Sequence, residues 1–219
     1  MFLEKKDFVE IEFTGKIKNG EIFDSNIKEE LEKLNPEEEA KPLIICLGEG
    51  IFLKGVEDFL IGKKIGEYNI ELPPENAFGL RNPSLVQVVP SKIFTSQKLN
   101  PIPGSVFNLD GRIAKVLSYS GGRVVIDFNH PLAGKYVEYT IRVLRKIDDL
   151  NEKIKALINL FFKKDLKYSL KDKELTIYVE KELLNFVLIF KDKFKELLDL
   201  ELEVKESNSE LHTLKTSNT

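Results

Sequence analysis

The sequence predicts an α+β fold: a half-barrel antiparallel sheet wrapped on one helix, with a small inserted β domain and a C-terminal α-β-β-α-β domain. Three observations lead there. Val137, Tyr139, Ile141 and Val143 alternate along one strand face, and the nearest sheet-like partner lies far back, around residues 8 to 23. Phe52, Val56, Phe59 and Leu60 recur at i, i+4, i+7 and i+8, a single apolar helix stripe. Between Asn82 and Phe128 the texture changes to short strands with glycine turns, so the later strand closes an excursion from the sheet.

Val9, Ile11 and Phe13 alternate, Asn19-Gly20 is a hairpin signal, and Ile22-Phe23-Asp24 returns. Asn26, with Glu29 three residues on, reads as a capping box for a short acidic helix through Ile27, Leu31 and Leu34, stopped by Pro36. Leu43 to Leu47 reads as a buried strand with Cys46 as inert core. Gly62 is placed to cap the striped helix, and Tyr68 to Leu72 resumes strand before Pro73-Pro74.

Short strands follow at Leu85 to Val89, Val106 to Leu109, Arg112 to Ser118 and Arg123 to Phe128, turned by Asp110-Gly111 and Gly121-Gly122. Pro83 and Pro131 mark two adjacent crossings, which is how an inserted domain looks in sequence. After Ile147 come a helix stripe (Ile154, Leu157, Ile158, Phe161), a hairpin through Leu170 and Leu175, and a long helix from Leu183 to Leu198. Leu200 to Val204 is a last strand. The long helix is apolar over most of its circumference at Phe186 to Phe190, which predicts burial against another surface and a homodimer. The resulting division is 1–82 with 130–147, then 83–129, 148–206, and a disordered tail over 207–219.

Composition bounds the function. Apolar residues at 42% and charged residues at 32% describe a soluble globular chain. A net charge of −3 leaves no electrostatic footprint for nucleic acid. One cysteine fits a reducing, cytoplasmic compartment, and no apolar run reaches the roughly 20 residues of a membrane span. Two histidines without a His/Cys cluster predict no metal site, and no cofactor is called for.

Several segments occur in the order of a known family. They are Phe13-Thr14-Gly15, Asn19-Gly20-x-x-Phe23-Asp24-Ser25, Leu47-Gly48-x-Gly50, Leu53-x-Gly55-x-Glu57, Ala77-Phe78-Gly79 and Asp127-Phe128-Asn129-His130-Pro131-Leu132-Ala133-Gly134. Together they resemble the FK506-binding-protein class of peptidyl-prolyl isomerases, in its SlyD-type subgroup with a chaperone domain inserted in the flap. The long form with a C-terminal domain is similar to archaeal members. The resemblance implies a prolyl pocket lined by Phe13, Phe23, Asp24, Ile45, Phe52, Leu53, Val56, Phe78, Leu132 and Tyr139. Of these, Phe13, Phe23, Asp24, Phe78 and Tyr139 take the catalytic positions. It further implies that Leu85, Val86, Val88, Ile93 and Phe94 of the insert take up unfolded chains, and it names FK506-like macrolides as a ligand class.

This chain departs from the family at three of those positions. Tyrosine is usual where Phe13 and Phe78 stand, so two phenols are missing, and Tyr139 stands where phenylalanine is commoner. Tyr139 is therefore expected to restore a donor for Asp24 or for the substrate. His130 is read as ordering its Asn-His-Pro turn through backbone hydrogen bonds. The leading expectation is a cytoplasmic isomerase and folding chaperone for X-Pro segments of unfolded proteins. The alternatives are a non-catalytic holdase with a degenerate pocket and a dimerising scaffold.

Overall fold

In the computed structural model, which describes residues 2–109 and 111–207, strand β9 (Val137–Ile147) is the axis of the largest sheet. It pairs along its whole length with β1 (Phe8–Ile17), from Phe8 opposite Ile147 to Ile17 opposite Val137. Its other edge pairs with β4 (Gly66–Leu72). β2 (Ile22–Ser25) and β3 (Leu43–Cys46) share the remaining edge of β1, completing a five-stranded antiparallel sheet. The expected disordered tail from residue 208 and the turn at residue 110 lie outside the described residues.

The inward face of this sheet is Val9, Ile11, Phe13, Val137, Tyr139, Ile141 and Val143, as the alternation predicts. Helix α2 (Lys54–Leu60) closes it with Val56 and Leu60, both fully buried and worth about 1.5–3 kcal/mol each against exposure. Phe52 precedes this helix rather than opening it. No helix among the described residues is long and apolar enough to cross a membrane.

The capping box at Asn26 is not formed. Helix α1 (Lys28–Leu34) starts from Ile27 with no side-chain cap. The Asn26 amide instead accepts from the Phe13 N–H at 2.7 Å and donates to the carbonyls of Ile11 and Lys41, each at 3.0 Å. The reason lies in the ladder. β2 covers Thr14 to Lys16 and β3 covers Phe8 to Ile11, so the backbone between them lacks a strand partner. One side-chain amide fills the gap.

Between β4 and β9 the chain builds a second sheet in the order β5-β8-β7-β6. Its strands are β5 (Val86–Pro90), β6 (Val106–Leu109), β7 (Arg112–Ser120) and β8 (Arg123–Asp127). Helix α3 (Lys92–Ser96) supplies Phe94 to the core beneath, with Ala114, Val116, Val124 and Ile126. The two chain crossings into this unit are fastened to each other. The Asn129 side-chain Oδ1 accepts from the Asn82 backbone N–H at 2.8 Å, and its Nδ2 donates back to the Asn82 backbone carbonyl at 3.0 Å. Arg81 reaches the buried Asp127 carboxylate at 2.6 Å.

The third sheet, β10-β11-β12, holds β10 (Lys167–Lys171) antiparallel and β12 (Glu201–Glu206) parallel to β11 (Glu174–Val179). Helix α4 (Leu150–Phe162) precedes it, starting from Asp149, whose side chain accepts from the Glu152 N–H. The expected long helix is broken. α5 (Leu184–Leu188) and α6 (Lys191–Leu198) are separated at Ile189 and Phe190. A run that is apolar all round cannot bury every side on one sheet. The break turns Phe190 to stack on Phe161 at 4.5 Å and leaves Ile189 74% exposed.

This third unit also packs on a surface that no sequence pattern marks. Cys46, Phe8 and Ile147 form one row across β3, β1 and β9 on the outward face of the first sheet, and all three belong to the third unit's core. Burial pushes the Cys46 thiol up to about 12, in keeping with inert packing.

Candidate active site

Three adjacent strands bring Asp24, Gly15 and Tyr139 into one row. Gly15 pairs with Asp24 of β2 on one side and with Tyr139 of β9 on the other. With no side chain at Gly15, the phenol can lean across its Cα. A Cβ there would lie 2.8 Å from Tyr139 Cε1 and Cζ and 3.1 Å from Phe23 Cζ. The β1–β2 register slips at this point, with Ile22 opposite Lys16 and Asp24 opposite Gly15, so Phe23 is the extra residue of a bulge. Bulges re-aim side chains, and Phe23 is thereby turned onto Tyr139.

Tyr139 is the hub of the aromatic cage. Phe52 and Phe23 meet its ring edge-to-face at 5.5 and 5.9 Å, and Phe13 lies 6.2 Å away. Phe13 meets Phe52 at 4.8 Å and Phe23 meets Phe78 at 5.6 Å, both edge-to-face. Phe13, Ile45, Val56 and Tyr139 are buried and make the floor. Phe23, Phe52, Leu53 and Phe78 are half-buried and pack on this floor, with Asp24 exposed nearby, whereas Leu132, also half-buried, is not among the residues packed on the pocket core. Such edge-to-face pairs add about 0.5–1.5 kcal/mol each beyond area burial.

The expected Tyr139–Asp24 hydrogen bond is absent. Among the described residues the Tyr139 hydroxyl has no hydrogen-bond partner, and since no fully buried side-chain polar atom goes unpaired it keeps a slight contact with solvent in a residue only 2% exposed. Burial, and then the nearby Asp24 charge, push its pKa up, so it stays a neutral donor. The Asp24 carboxyl pKa is raised too, by desolvation on partial burial, with the Ser25 N–H opposing.

Two clamps hold the cage, the first of them with no signal in the sequence. The first is Glu57, fully buried on α2. Its Oε2 accepts from the Gly48 and Gly50 N–H groups at 2.8 and 3.0 Å, and its Oε1 from Phe52 N–H at 2.7 Å. The whole loop carrying Phe52 is wrapped on one carboxylate. Gly55 lets this helix press on the turn before Phe78, since a Cβ there would stand 2.5 Å from the Asn76 carbonyl oxygen.

The second clamp is His130, stacked on Phe78 with centroids 4.8 Å apart and planes 2° from parallel. Its Nδ1 accepts from the Leu132 N–H at 3.2 Å, the turn-ordering bond expected of it. Gly134 N–H donates to the Gly79 carbonyl at 2.8 Å, joining the two loops at the mouth.

On the insert, Val88 is 62% exposed and Ile93 is also open, while Leu85 and Val86 are half-buried. Phe94 corrects the expectation. It is fully buried against Phe107 at 5.5 Å and cannot touch a client. Its helical position on a small sheet made it core. Strand register instead puts Val86, Val88, Val106 and Ile113 on one outward face around Lys115. Val106 and Ile113, both more than half exposed, were missed because each sits in an ordinary strand alternation.

These features define a protein class. The pattern of the FKBP-type peptidyl-prolyl cis-trans isomerase family matches residues 1–98, and that of the FKBP26 IF domain matches residues 87–132. The chain is 34% identical over 146 residues to the short-type peptidyl-prolyl cis-trans isomerase of Methanocaldococcus jannaschii, covering 64% of this chain and 92% of that one. It is 31% identical to a probable FKBP-type 16 kDa isomerase of Pseudomonas fluorescens (62% and 86% covered). It is 29% identical to the FKBP-type isomerase SlyD of Aeromonas hydrophila (62% and 60% covered). The chain belongs to the FKBP-type peptidyl-prolyl cis-trans isomerase family, and is SlyD-like within it.

Proposed function

We infer that the protein catalyses cis–trans isomerisation of X-Pro bonds and assists folding, holding the proline in the cage around Tyr139. The barrier to be lowered is about 18–20 kcal/mol and comes from amide resonance, which twisting the C–N bond removes. The twisted amide is less polar than the planar one, so a desolvated pocket favours it without acid, base or cofactor. Lowering the barrier by about 4 kcal/mol gives about a thousandfold acceleration. The carrying observation is the set of aromatic rings around one phenol, with Phe13, Val56 and Ile45 buried beside Tyr139 and Phe23, Phe52, Leu53 and Phe78 half-buried on them. Tyr139 is positioned to donate to the substrate, and Asp24 supplies polarity at one edge.

In this reading residues 1–82 and 130–147 are the isomerase domain and 83–129 the chaperone domain. Clients seat on the Val86, Val88, Val106 and Ile113 face, beside Leu85 and Ile93. Residues 148–206 form a third domain whose open Phe186, Leu188 and Ile189 surface supports homodimerisation. The single, buried cysteine supports a cytoplasmic site of action.

The test compares two substrates. Val88→Lys combined with Ile113→Lys should leave turnover of an X-Pro peptide unchanged. It should lower kcat/KM about tenfold or more on a protein whose refolding waits for proline, because local capture raises substrate concentration. Equal activity on the refolding protein removes the two-site account.

A further inference from the structure

Residues 48–52 link β3 to α2 and present Phe52 to the cage. Glu57 holds this loop from inside. From outside it is held by the third unit. Lys193 of α6 places its Nζ 2.8 Å from Glu49 Oε2, and the Glu49 side chain is only 9% exposed. Glu49 lies between Gly48 and Gly50, whose N–H groups both donate to Glu57 Oε2.

Lys193 is itself seated, 3.3 Å from Glu196, whose carboxylate also pairs with Lys6 ahead of β1. Ile51, one residue from Phe52, packs against the pocket core and the third unit's core together. The loop therefore has one buried clamp on its own helix and a second, charged clamp on a helix of another unit. Lys195, two residues on, pairs among the described residues with Asp199 and Glu201 of its own unit and no others.

We propose that helix α6 is a positioning element of the prolyl pocket, with Lys193 acting through Glu49 to fix the loop that presents Phe52. This rests on the prolyl isomerase reading for its effect on turnover. Its effect on loop order stands apart from that reading. Lys193 touches no substrate. It restricts the loop, so its loss lets Phe52 leave the cage part of the time.

The test uses the full chain with Lys193→Met, Glu49→Gln, the double variant, and Lys195→Met as control. Amide hydrogen exchange at Gly48, Gly50 and Phe52 is followed beside X-Pro peptide kinetics and thermal melting. The expected result is faster exchange at these amides and kcat/KM lower by about two- to fivefold in both single variants, the span a partly exposed ion pair supplies. Lys195→Met should melt much as Lys193→Met does, with exchange and kinetics unchanged.

Unaltered exchange in Lys193→Met, additive losses in the double variant, or equal losses from Lys195→Met would each overturn the proposal. A parent with no turnover removes the isomerase reading alone, and the exchange comparison still decides the loop.

Discussion

The ring of Tyr139 rests against the Cα of Gly15, closely enough that a methyl there would stand 2.8 Å from two ring carbons. The pair sits opposite one another in the β1–β9 ladder, with Asp24 on the far side of Gly15. The glycine is a site residue by what it lacks. It lets a phenol from one strand reach over the next toward a carboxyl on the third.

Gly15→Ala should therefore cost about 1–3 kcal/mol of stability, the usual penalty for overpacking a filled core. Turnover should fall further than the melt implies, because the displaced group is the hub of the cage. Urea unfolding and peptide kinetics on one preparation check both, and parental values for both would remove Gly15 from the site.

Tyr139→Phe deletes one unpaired hydroxyl and leaves the ring contacts. Stability should hold, while kcat/KM drops by about 0.5–1.5 kcal/mol of transition-state binding, the worth of one neutral hydrogen bond. If kcat/KM stays level, the phenol serves the cage only as a ring.

Glu57→Gln replaces an acceptor of three backbone N–H groups with an amide that faces donors with its own N–H. About 1–3 kcal/mol of stability should be lost. Peptide KM should rise, since Phe52 hangs from the same carboxylate. A stable variant with parental KM would show that the loop holds itself.

Two aspartates should tilt the pH dependence of stability in opposite senses. Desolvation holds Asp24 above its ordinary pKa, so the folded state binds that proton more tightly. Its contribution is present at acid pH and is lost as pH rises through the folded value. Asp24→Asn should gain on the parent across that rise and level off above it. Asp127 feels desolvation too, but the Asn129 N–H and side-chain amide and the Arg81 guanidinium outweigh it and hold its pKa low. Its contribution is present above the unfolded pKa and lost as pH falls through the folded one. Asp127→Asn should therefore lose most at neutral pH. Chemical unfolding across the acid range measures both, and slopes of the same sign would contradict the assignment.

The strands and the α2 stripe were legible because period-2 and period-3.6 patterns are local, and the long return to β9 could be read from face matching. The ring residues were legible through the family order of short motifs. What escaped depends on contacts across the chain. Asn26 looked like a cap because Glu29 follows three residues on, yet the stronger demand came from unpaired backbone of β1. Glu57 looked like any helix glutamate, and only the fold brings three N–H groups to it. Phe94 looked like an anchor for clients and is buried, because a four-stranded sheet has little else to fill its core. The seat of the third unit on Phe8, Cys46 and Ile147 had no signal, since each residue reads as ordinary strand core.

The central claim is that a cage with one phenol and no acid–base pair turns prolyl bonds over. The most direct measurement is the rate of cis-to-trans exchange in an X-Pro peptide with the full chain present, beside the unaided rate. Unaided exchange takes tens to hundreds of seconds, and the account predicts an approach to thousandfold acceleration at saturation. An exchange rate equal to the unaided one, with the peptide demonstrably bound, would contradict it.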